Sequence, residues 1–273
     1  MMRGRRWLAA AFVGGMAMAV PATQVSAQVL IINGSSGTSE PGTTANITNN
    51  LVALFNAIGV NPTVVDGVPA SLAGFSQVWD IRFSNNLALT GADQSEYLAF
   101  MQGGGAMFVM GENSGFITRD NTVLALIAAA GGGALGFVTP NSLENVDAPF
   151  TGPNAVAQVN YAAPGGVNGH GSGAFITDDG TGSGAGVAWG KGELANAALG
   201  GLTVIFDVNF MEGTRGVDQQ NLTKNLIGFV GNVAPPGPGV STTPEPASLV
   251  LVGTGLVGIG GVVRRRRRKA TAA

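Results

Sequence analysis

Four short apolar runs constrain the fold of this chain more than any other feature. They lie at Gln28 to Asn33, Val78 to Arg82, Ala106 to Met110 and Leu202 to Asp207. Runs of this length are too short for helices, and nearly uninterrupted apolar sequence is typical of strands that are buried on both faces. The sequence therefore predicts a sheet whose central strands are parallel and buried.

Segments with the spacing of amphipathic helices separate these runs. Their apolar positions are Ile47, Leu51, Leu54, Phe55 and Ile58, then Tyr97, Leu98 and Met101, then Val123, Leu124 and Ile127, and finally Leu222, Leu226 and Phe229. Thr90 and Asp93 predict a capping box, Asp120 predicts an N-cap, and Gly59 and Gly131 predict helix ends. Alternating strands and helices with right-handed crossovers predict an α/β fold with a doubly wound, mostly parallel sheet.

Residues 137–200 interrupt this alternation. They are rich in Gly, Asn, Thr and Ser, and their candidate strands are short: Ala155 to Asn160, Gly173 to Thr177 and Gly186 to Trp189. We interpret the segment as a β-rich, loopy insertion within one α/β domain that spans residues 28–232.

Residues 1–27 have the layout of a secretory signal peptide. Three arginines precede an apolar run at 7–20, and a small-x-small cleavage pattern ends at Ala27. An uncleaved anchor is the alternative, but the run is short for a membrane span. The pair Arg5 and Arg6 leaves open whether the signal is of the general secretory or the twin-arginine type.

The charges of the chain are segregated. Residues 28–246 hold only five of the 14 Lys and Arg residues but all 16 Asp and Glu residues, so their net charge is −11. Because such a surface repels phosphate backbones, nucleic acid is not a predicted partner. The chain has no cysteine and one histidine, which excludes thiol nucleophiles and zinc centres rich in Cys or His.

The C-terminal residues form three consecutive parts. Residues 233–246 are a Pro- and Gly-rich linker, and its segment from Ala234 to Gly239 cannot hold a helix. Residues 247–263 carry no charge and are near the lower length limit for a transmembrane helix. Residues 264–273 begin with six consecutive cations, which predict a basic cytoplasmic tail because cations are costly to move through hydrocarbon.

Pro244, Glu245 and Pro246, followed at once by this apolar segment and an Arg-rich end, resemble a PEP-CTERM sorting signal. The resemblance implies a bacterial protein that an exosortase, a membrane transpeptidase-like enzyme, cuts near Pro-Glu-Pro. It also implies an extracellular polysaccharide matrix as a further partner. The expected location is the inner membrane during processing, and then the cell surface or the medium.

The body resembles the class I glutamine amidotransferase-like superfamily, in its ThuA-like or sugar-binding branch. The resemblance lies in VLIIN, in LTGADQSEYLAFMQGGGAMFVMGEN, and in TVIFDVNFMEG followed by DQQNLTKNLIGFV. It covers most of residues 28–232 but not 137–200. It implies a flavodoxin-like sheet and a Cys nucleophile in a Gly-x-Cys-x-Gly turn after a central strand.

The corresponding stretch here is GENSG at 111–115, with Asn113 in the place of the nucleophile. A neutral amide is not a nucleophile for this chemistry, and Ser114 is out of register for a nucleophile elbow. His170 is the one candidate general base, and a solvated loop residue is its alternative role. We therefore predict no catalytic residue.

Ligands of open α/β sheets bind beyond the carboxyl ends of the strands. The polar residues at those predicted ends, which we call the strand-end rim, are Asn33, Ser35, Arg82, Glu112, Asn113, Asp207 and Asn209. They predict a site for a sugar or a similar small molecule, unless they are polar only because loops lie in water. Arg82 and Glu112 are also candidates for a structural ion pair.

No cofactor or metal is predicted. Asp178 and Asp179 precede Gly180, which suits either calcium ligands or a turn, and no EF-hand pattern surrounds them. The leading hypothesis is an exported, exosortase-processed surface or matrix protein with a non-catalytic body. The alternative is a hydrolase or a carbohydrate-binding enzyme relative that uses the strand-end rim.

Overall fold

The computed structural model describes residues 28–233. The predicted signal peptide, most of the linker, the predicted transmembrane segment and the basic tail lie outside these residues. Within them, no helix combines the length and the apolar character that crossing a bilayer requires.

Eleven strands are present between residues 28 and 233. They are β1 (Val29–Ile32), β2 (Thr63–Val65), β3 (Gln77–Asp80), β4 (Ala106–Met110), β5 (Phe137–Val138), β6 (Leu143–Val146), β7 (Gln158–Asn160), β8 (Gly166–Val167), β9 (Ala174–Asp178), β10 (Gly186–Trp189) and β11 (Gly201–Ile205). Nine of them form one sheet in the order β2-β1-β3-β4-β11-β10-β9-β6-β7. The five from β2 to β11 are parallel, and the remaining four continue the sheet antiparallel.

Four α-helices cover both faces of the parallel strands. They are α1 (Pro41–Ala57), α2 (Gly91–Gln102), α3 (Ile117–Ala130) and α4 (Val217–Val233). The apolar sides of α1 and α4 share one buried cluster with alternate strand residues, and those of α2 and α3 share the other. Trp79 of β3 stacks on Phe108 of β4 at 4.7 Å between ring centroids, and Phe55 of α1 meets it edge-on at 5.6 Å. The predicted α/β fold with a large, mostly parallel sheet is confirmed.

The insertion contributes strands to the same sheet. β10 pairs antiparallel with β11, and β9, β6 and β7 follow outward. The sequence did not indicate β6, because its inward positions are Glu144 and Val146 and a buried carboxyl group masks the alternation of a half-buried strand. Two-residue strands such as β5 are too short to leave a sequence signal.

The predicted ends of two helices are observed. The Thr90 hydroxyl accepts from the Asp93 backbone N–H at 3.1 Å, and the Asp93 carboxylate accepts from the Thr90 N–H at 3.2 Å, which completes the capping box of α2. Gly131 ends α3 with φ of 85°, a left-handed conformation that favours glycine.

We expect Thr90→Ala to lower the free energy of unfolding by about 1 kcal/mol, because the substitution leaves the first N–H groups of α2 without their side-chain acceptor. Urea denaturation followed by circular dichroism measures the loss. Ser95→Ala, on the exposed side of the same helix, is the control, and a loss equal to that of Thr90→Ala would contradict the capping role.

Candidate functional site

The carboxyl ends of the parallel strands bring the strand-end rim together. Asn33 and Ser35 follow β1, Arg82 follows β3, Glu112 and Asn113 follow β4, and Asp207 and Asn209 follow β11. The four strands are neighbours in the sheet, so these seven residues lie along one edge.

The loop after β1 is fastened to the loop after β2. The Asn33 side-chain oxygen accepts from the Ser35 N–H at 3.1 Å, and the Ser35 hydroxyl donates to the Asp66 carboxylate at 3.0 Å. Ser36 donates to Asp66 from both its hydroxyl and its N–H. These hydrogen bonds lower the pKa of Asp66, which stays ionised as the acceptor that closes the loop.

Arg82 forms an ion pair with Asp80, at the end of its own strand. The guanidinium donates to both carboxylate oxygens of Asp80 at 2.8 Å, and Asp93 lies 3.6 Å away. The predicted pairing of Arg82 with Glu112 is therefore wrong. Residues two apart on an extended chain point to the same side, which explains why Asp80 is the nearer partner.

Asp80 is the centre of a buried polar cluster. It is fully buried, and besides Arg82 it accepts from the Tyr97 hydroxyl at 2.8 Å and lies 3.1 Å from the Arg119 guanidinium. Arg119, also fully buried, donates to the backbone carbonyls of Met110 and Leu87. The cluster therefore joins β3, α2, α3 and the end of β4.

The attraction between the opposite charges of this cluster offsets the free-energy cost of burying them. Burial by itself raises the pKa of Asp80, but the positive charges of Arg119 and Arg82 outweigh it and hold that pKa well below its usual range. Burial and the Asp80 charge raise the pKa of Tyr97, so the phenol remains a neutral donor. The cluster is an ionised structural core under the strand-end rim.

Glu112 is near two other carboxyl groups, those of Asp207 and Asp120, whose charges act on it. Glu112 accepts from the Val208 N–H at 2.5 Å and from the Asn113 amide at 2.8 Å. Asp120 accepts from the Glu112 N–H at 2.9 Å, and its second oxygen is buried without a hydrogen-bond partner. Asp207 accepts from the N–H groups of residues 162, 163 and 210.

Asp120 does not cap its helix, contrary to the sequence prediction. α3 begins at Ile117, after a short 3-10 turn, and Asp120 lies in its first full turn. Its carboxyl group instead binds the loop that follows β4. Burial raises the pKa of Asp120 to about 7, and burial together with the Asp207 charge raises that of Glu112 to about 8.

Asn113, in the place where the resemblance puts a nucleophile, is used by the loop itself. Its amide oxygen accepts from the Gly115 N–H at 2.9 Å, and its amide nitrogen donates to Glu112. The side chain therefore acts as the cap of a 3-10 turn.

Two other sequence candidates lie elsewhere. His170 precedes β9, and the first residue of β9 pairs with the end of β10. His170 therefore lies at the edge of the sheet opposite the strand-end rim. Its ring packs edge-on against the ring of Phe175. Asp178 and Asp179 accept from the N–H groups of Gly180 and Thr181, which forms a turn. No group of three or more candidate metal-ligating residues occurs within residues 28–233.

Sequence reasoning missed the residues whose side chains hold the site together. They are Asp80, Tyr97 and Arg119, and also Asp120, which was predicted only as an N-cap. A charge inside an apolar strand run, as in VWDIR, is a signal that a buried partner exists. Nothing in the sequence indicates that the partner is also Arg119, which lies on a helix 39 positions later.

Comparison with solved structures shows the fold. The N-terminal domain of mmIFT52 matches over 75% of this chain and 96% of that domain, at 12% identity and a TM-score of 0.53. A ThuA-like protein from Bacteroides uniformis ATCC 8492 matches over 80% of this chain and 95% of that protein, at 14% identity and a TM-score of 0.48. An exo-β-1,4-mannosidase from Opitutaceae bacterium strain TAV5 matches at 10% identity and a TM-score of 0.47, but this chain covers only 35% of that enzyme.

No curated protein sequence matches the chain significantly. A family model does match its end: residues 242–268 fit the PEP-CTERM protein-sorting motif. The match includes Pro244, Glu245 and Pro246, the apolar segment and five of the six cations. The chain carries a PEP-CTERM sorting motif, which implies an exported protein that is anchored in the membrane and processed by an exosortase.

Proposed function

We propose that this protein is a cell-surface or extracellular-matrix protein whose α/β body is non-catalytic. The observation that carries the proposal is the sorting motif at residues 242–268. In this account, residues 1–27 direct export, the apolar segment holds the chain in the inner membrane, and cleavage near Pro-Glu-Pro frees the body. The mature body then lies in the polysaccharide of the extracellular matrix.

The hydrogen bonds of the strand-end rim support a non-catalytic body, because its polar atoms bind other groups of the protein itself. Arg82 is held by Asp80, Asn113 caps its own loop, and Asp207 collects three backbone N–H groups. Hydrogen bonds of this kind order loops, and an enzyme would need some of these groups to face substrate. The strand-end rim therefore serves to fix the loops of a stable carrier domain.

Cell fractionation tests the sorting role. We expect the wild-type body to leave the membrane fraction, whereas the triple variant Pro244→Ala, Glu245→Ala, Pro246→Ala should remain in it with an uncut C-terminus. Val240→Ala together with Ser241→Ala, just before residues 242–268, is the matched control. Release of the triple variant at the wild-type rate would contradict the proposal.

The hydrolase alternative depends on Glu112, the carboxyl group of the strand-end rim whose raised pKa suits a general acid. Incubation of the purified protein with a panel of chromogenic glycosides and esters distinguishes the two functions. We expect equal, background rates for wild type and Glu112→Gln. A turnover that Glu112→Gln abolishes would favour the hydrolase.

A further inference from the structure

The edge of the sheet opposite the strand-end rim receives both ends of the body. Gln28, just before β1, accepts from the Ser76 N–H at the start of β3 at 2.9 Å. Val233, at the end of α4, packs against Gly201, the first residue of β11. The signal peptide before Gln28 and the sorting segment after Val233 therefore join the body at the same edge.

This edge, which we call the amino edge, has an unusual composition. It consists of the segments where the helices end and the parallel strands begin: 56–62, 73–77, 102–106, 131–136, 195–201 and 228–233. None of these segments contains Asp, Glu, Lys or Arg. Lys191 and Glu193 lie at the same edge, in the loop that runs from the end of β10 to the start of β11. Glu96 and Lys224 border it. The two cations and two anions leave the amino edge without net charge.

The opposite edge is charged by contrast. The loops that leave the carboxyl ends of the strands contain the exposed acids Glu40 and Asp66 and the partly exposed Glu212 and Arg215, besides the buried Arg82, Glu112 and Asp207. Residues 28–233 as a whole carry five cations and 15 anions, a net charge of −10. Most of the negative charge of the body therefore lies away from the edge at which the signal peptide and the sorting segment join it.

The amino edge also offers apolar contact. A cavity of about 390 Å³ opens between the ends of α1 and α4, and its lining includes Ile58, Val60 and Ile227 together with the cation Lys224. The Ile58 side chain is 62% exposed, and Leu199, in the loop before β11, is 66% exposed. A surface with few charges and exposed apolar side chains loses little solvation against a lipid headgroup layer.

We propose that the amino edge is the face that the body presents to the lipid surface while the chain is anchored. The inference rests on the anchoring stage of the proposed function. Residues 234–246 separate the body from the apolar segment, and 13 residues reach at most about 45 Å. Anionic lipids repel an acidic body, so the orientation of lowest electrostatic cost turns the edge without net charge toward the membrane.

The chain has no cysteine, so a fluorescent label attaches only to a cysteine that is introduced by substitution. The position of that label relative to the lipid then measures the orientation of the body. Leu199→Cys labels the amino edge, and Thr214→Cys labels an exposed loop at the carboxyl edge. The two edges are about 25 Å apart, since the 17 residues of α4 run between them. The full-length chain is reconstituted in vesicles of phosphatidylethanolamine and phosphatidylglycerol that contain a headgroup-attached quencher.

We expect the Leu199→Cys label to be quenched several-fold more strongly than the Thr214→Cys label. Adding charge at the amino edge with Asn61→Asp and Asn232→Asp should bring the ratio of the two quenching values toward one. Asn86→Asp, at the exposed carboxyl edge, is the matched control and should leave the ratio unchanged.

Equal quenching at the two sites, or stronger quenching at Thr214→Cys, would overturn the inference when the chain floats with the vesicles. Flotation is therefore measured in the same samples. A chain that does not float would overturn the anchoring stage of the proposed function, and this inference with it. The two failures are distinguished by the flotation result alone.

Discussion

We expect Asp80→Asn to lower the free energy of unfolding by about 3 to 5 kcal/mol, because it leaves the buried Arg119 guanidinium without its anion and Arg82 with only Asp93 at 3.6 Å. Arg119 is fully buried and Arg82 nearly so, so water replaces little of the lost interaction. A domain of ordinary stability has about 5 to 15 kcal/mol in total, so the loss approaches unfolding. Urea denaturation of the purified protein at pH 7 measures it.

The control for this substitution is Glu212→Gln, which removes the partner of Arg215 in a partly exposed pair with an N···O distance of 3.4 Å. Exposed ion pairs contribute less than about 1 kcal/mol, so the control should lose little. If both variants lost the same small amount, the Asp80 cluster would be solvated, and its role as the core beneath the strand-end rim would be wrong.

The second large effect is a pH dependence that Asp120→Asn should reduce. A carboxyl group whose pKa is raised on folding keeps its proton in the folded state after the unfolded state has lost it. Stability therefore falls as pH rises from the unfolded pKa, 3.8 for Asp120, through the folded pKa of about 7. At 1.36 kcal/mol per pKa unit, the upper limit of this loss is about 4 kcal/mol.

Glu112 and Glu144 add to the same trend, since burial raises their pKa values to about 8 and about 7. Asp80 acts in the opposite direction, but its lowered pKa confines its effect to pH values below about 4. We therefore expect the wild-type body to be most stable near pH 4 to 5 and to lose stability steadily toward pH 8.

Asn at position 120 imitates the protonated acid, since its oxygen still accepts from the Glu112 N–H. We expect wild type and Asp120→Asn to differ by less than about 1 kcal/mol at pH 4, and the variant to be more stable by about 2 to 4 kcal/mol at pH 8. Urea denaturation at both pH values measures this difference.

Asn121→Asp, which places a carboxylate on the exposed side of the same helix, should leave the pH slope unchanged. Parallel curves for wild type and Asp120→Asn would show that Asp120 is already ionised in the folded protein.

The sequence was sufficient for the parallel half of the fold because strands buried on both faces leave continuous apolar runs. Each of β1, β3, β4 and β11 lies within a predicted run, or within one residue of it. The antiparallel half left weaker signals, since its inward positions include Glu144, whose carboxyl group accepts from the Ala185 N–H. The position of His170 depends on that half of the sheet, so the sequence did not predict where His170 lies.

The sequence predicted where the site residues lie but not which side chains pair with each other. Strand ends locate Arg82, Glu112 and Asp207 on one edge without knowledge of side-chain contacts. Which charge faces which depends on the lateral packing of α2 and α3 on the sheet, and that packing brings Arg119 to Asp80 and Asp120 to Glu112. The spacing of Asp80 and Arg82, two residues apart on a strand, was the one partnership that the sequence did contain.

Mass spectrometry of the mature C-terminus, from cells with and without the exosortase, tests the central claim most directly. With the enzyme, we expect the exported body to end near Pro244 to Pro246 and to lack residues 264–269. Without it, the chain should retain the arginine run and remain with the membrane. An exported body that keeps Arg264 to Lys269 in cells with an active exosortase would contradict the account.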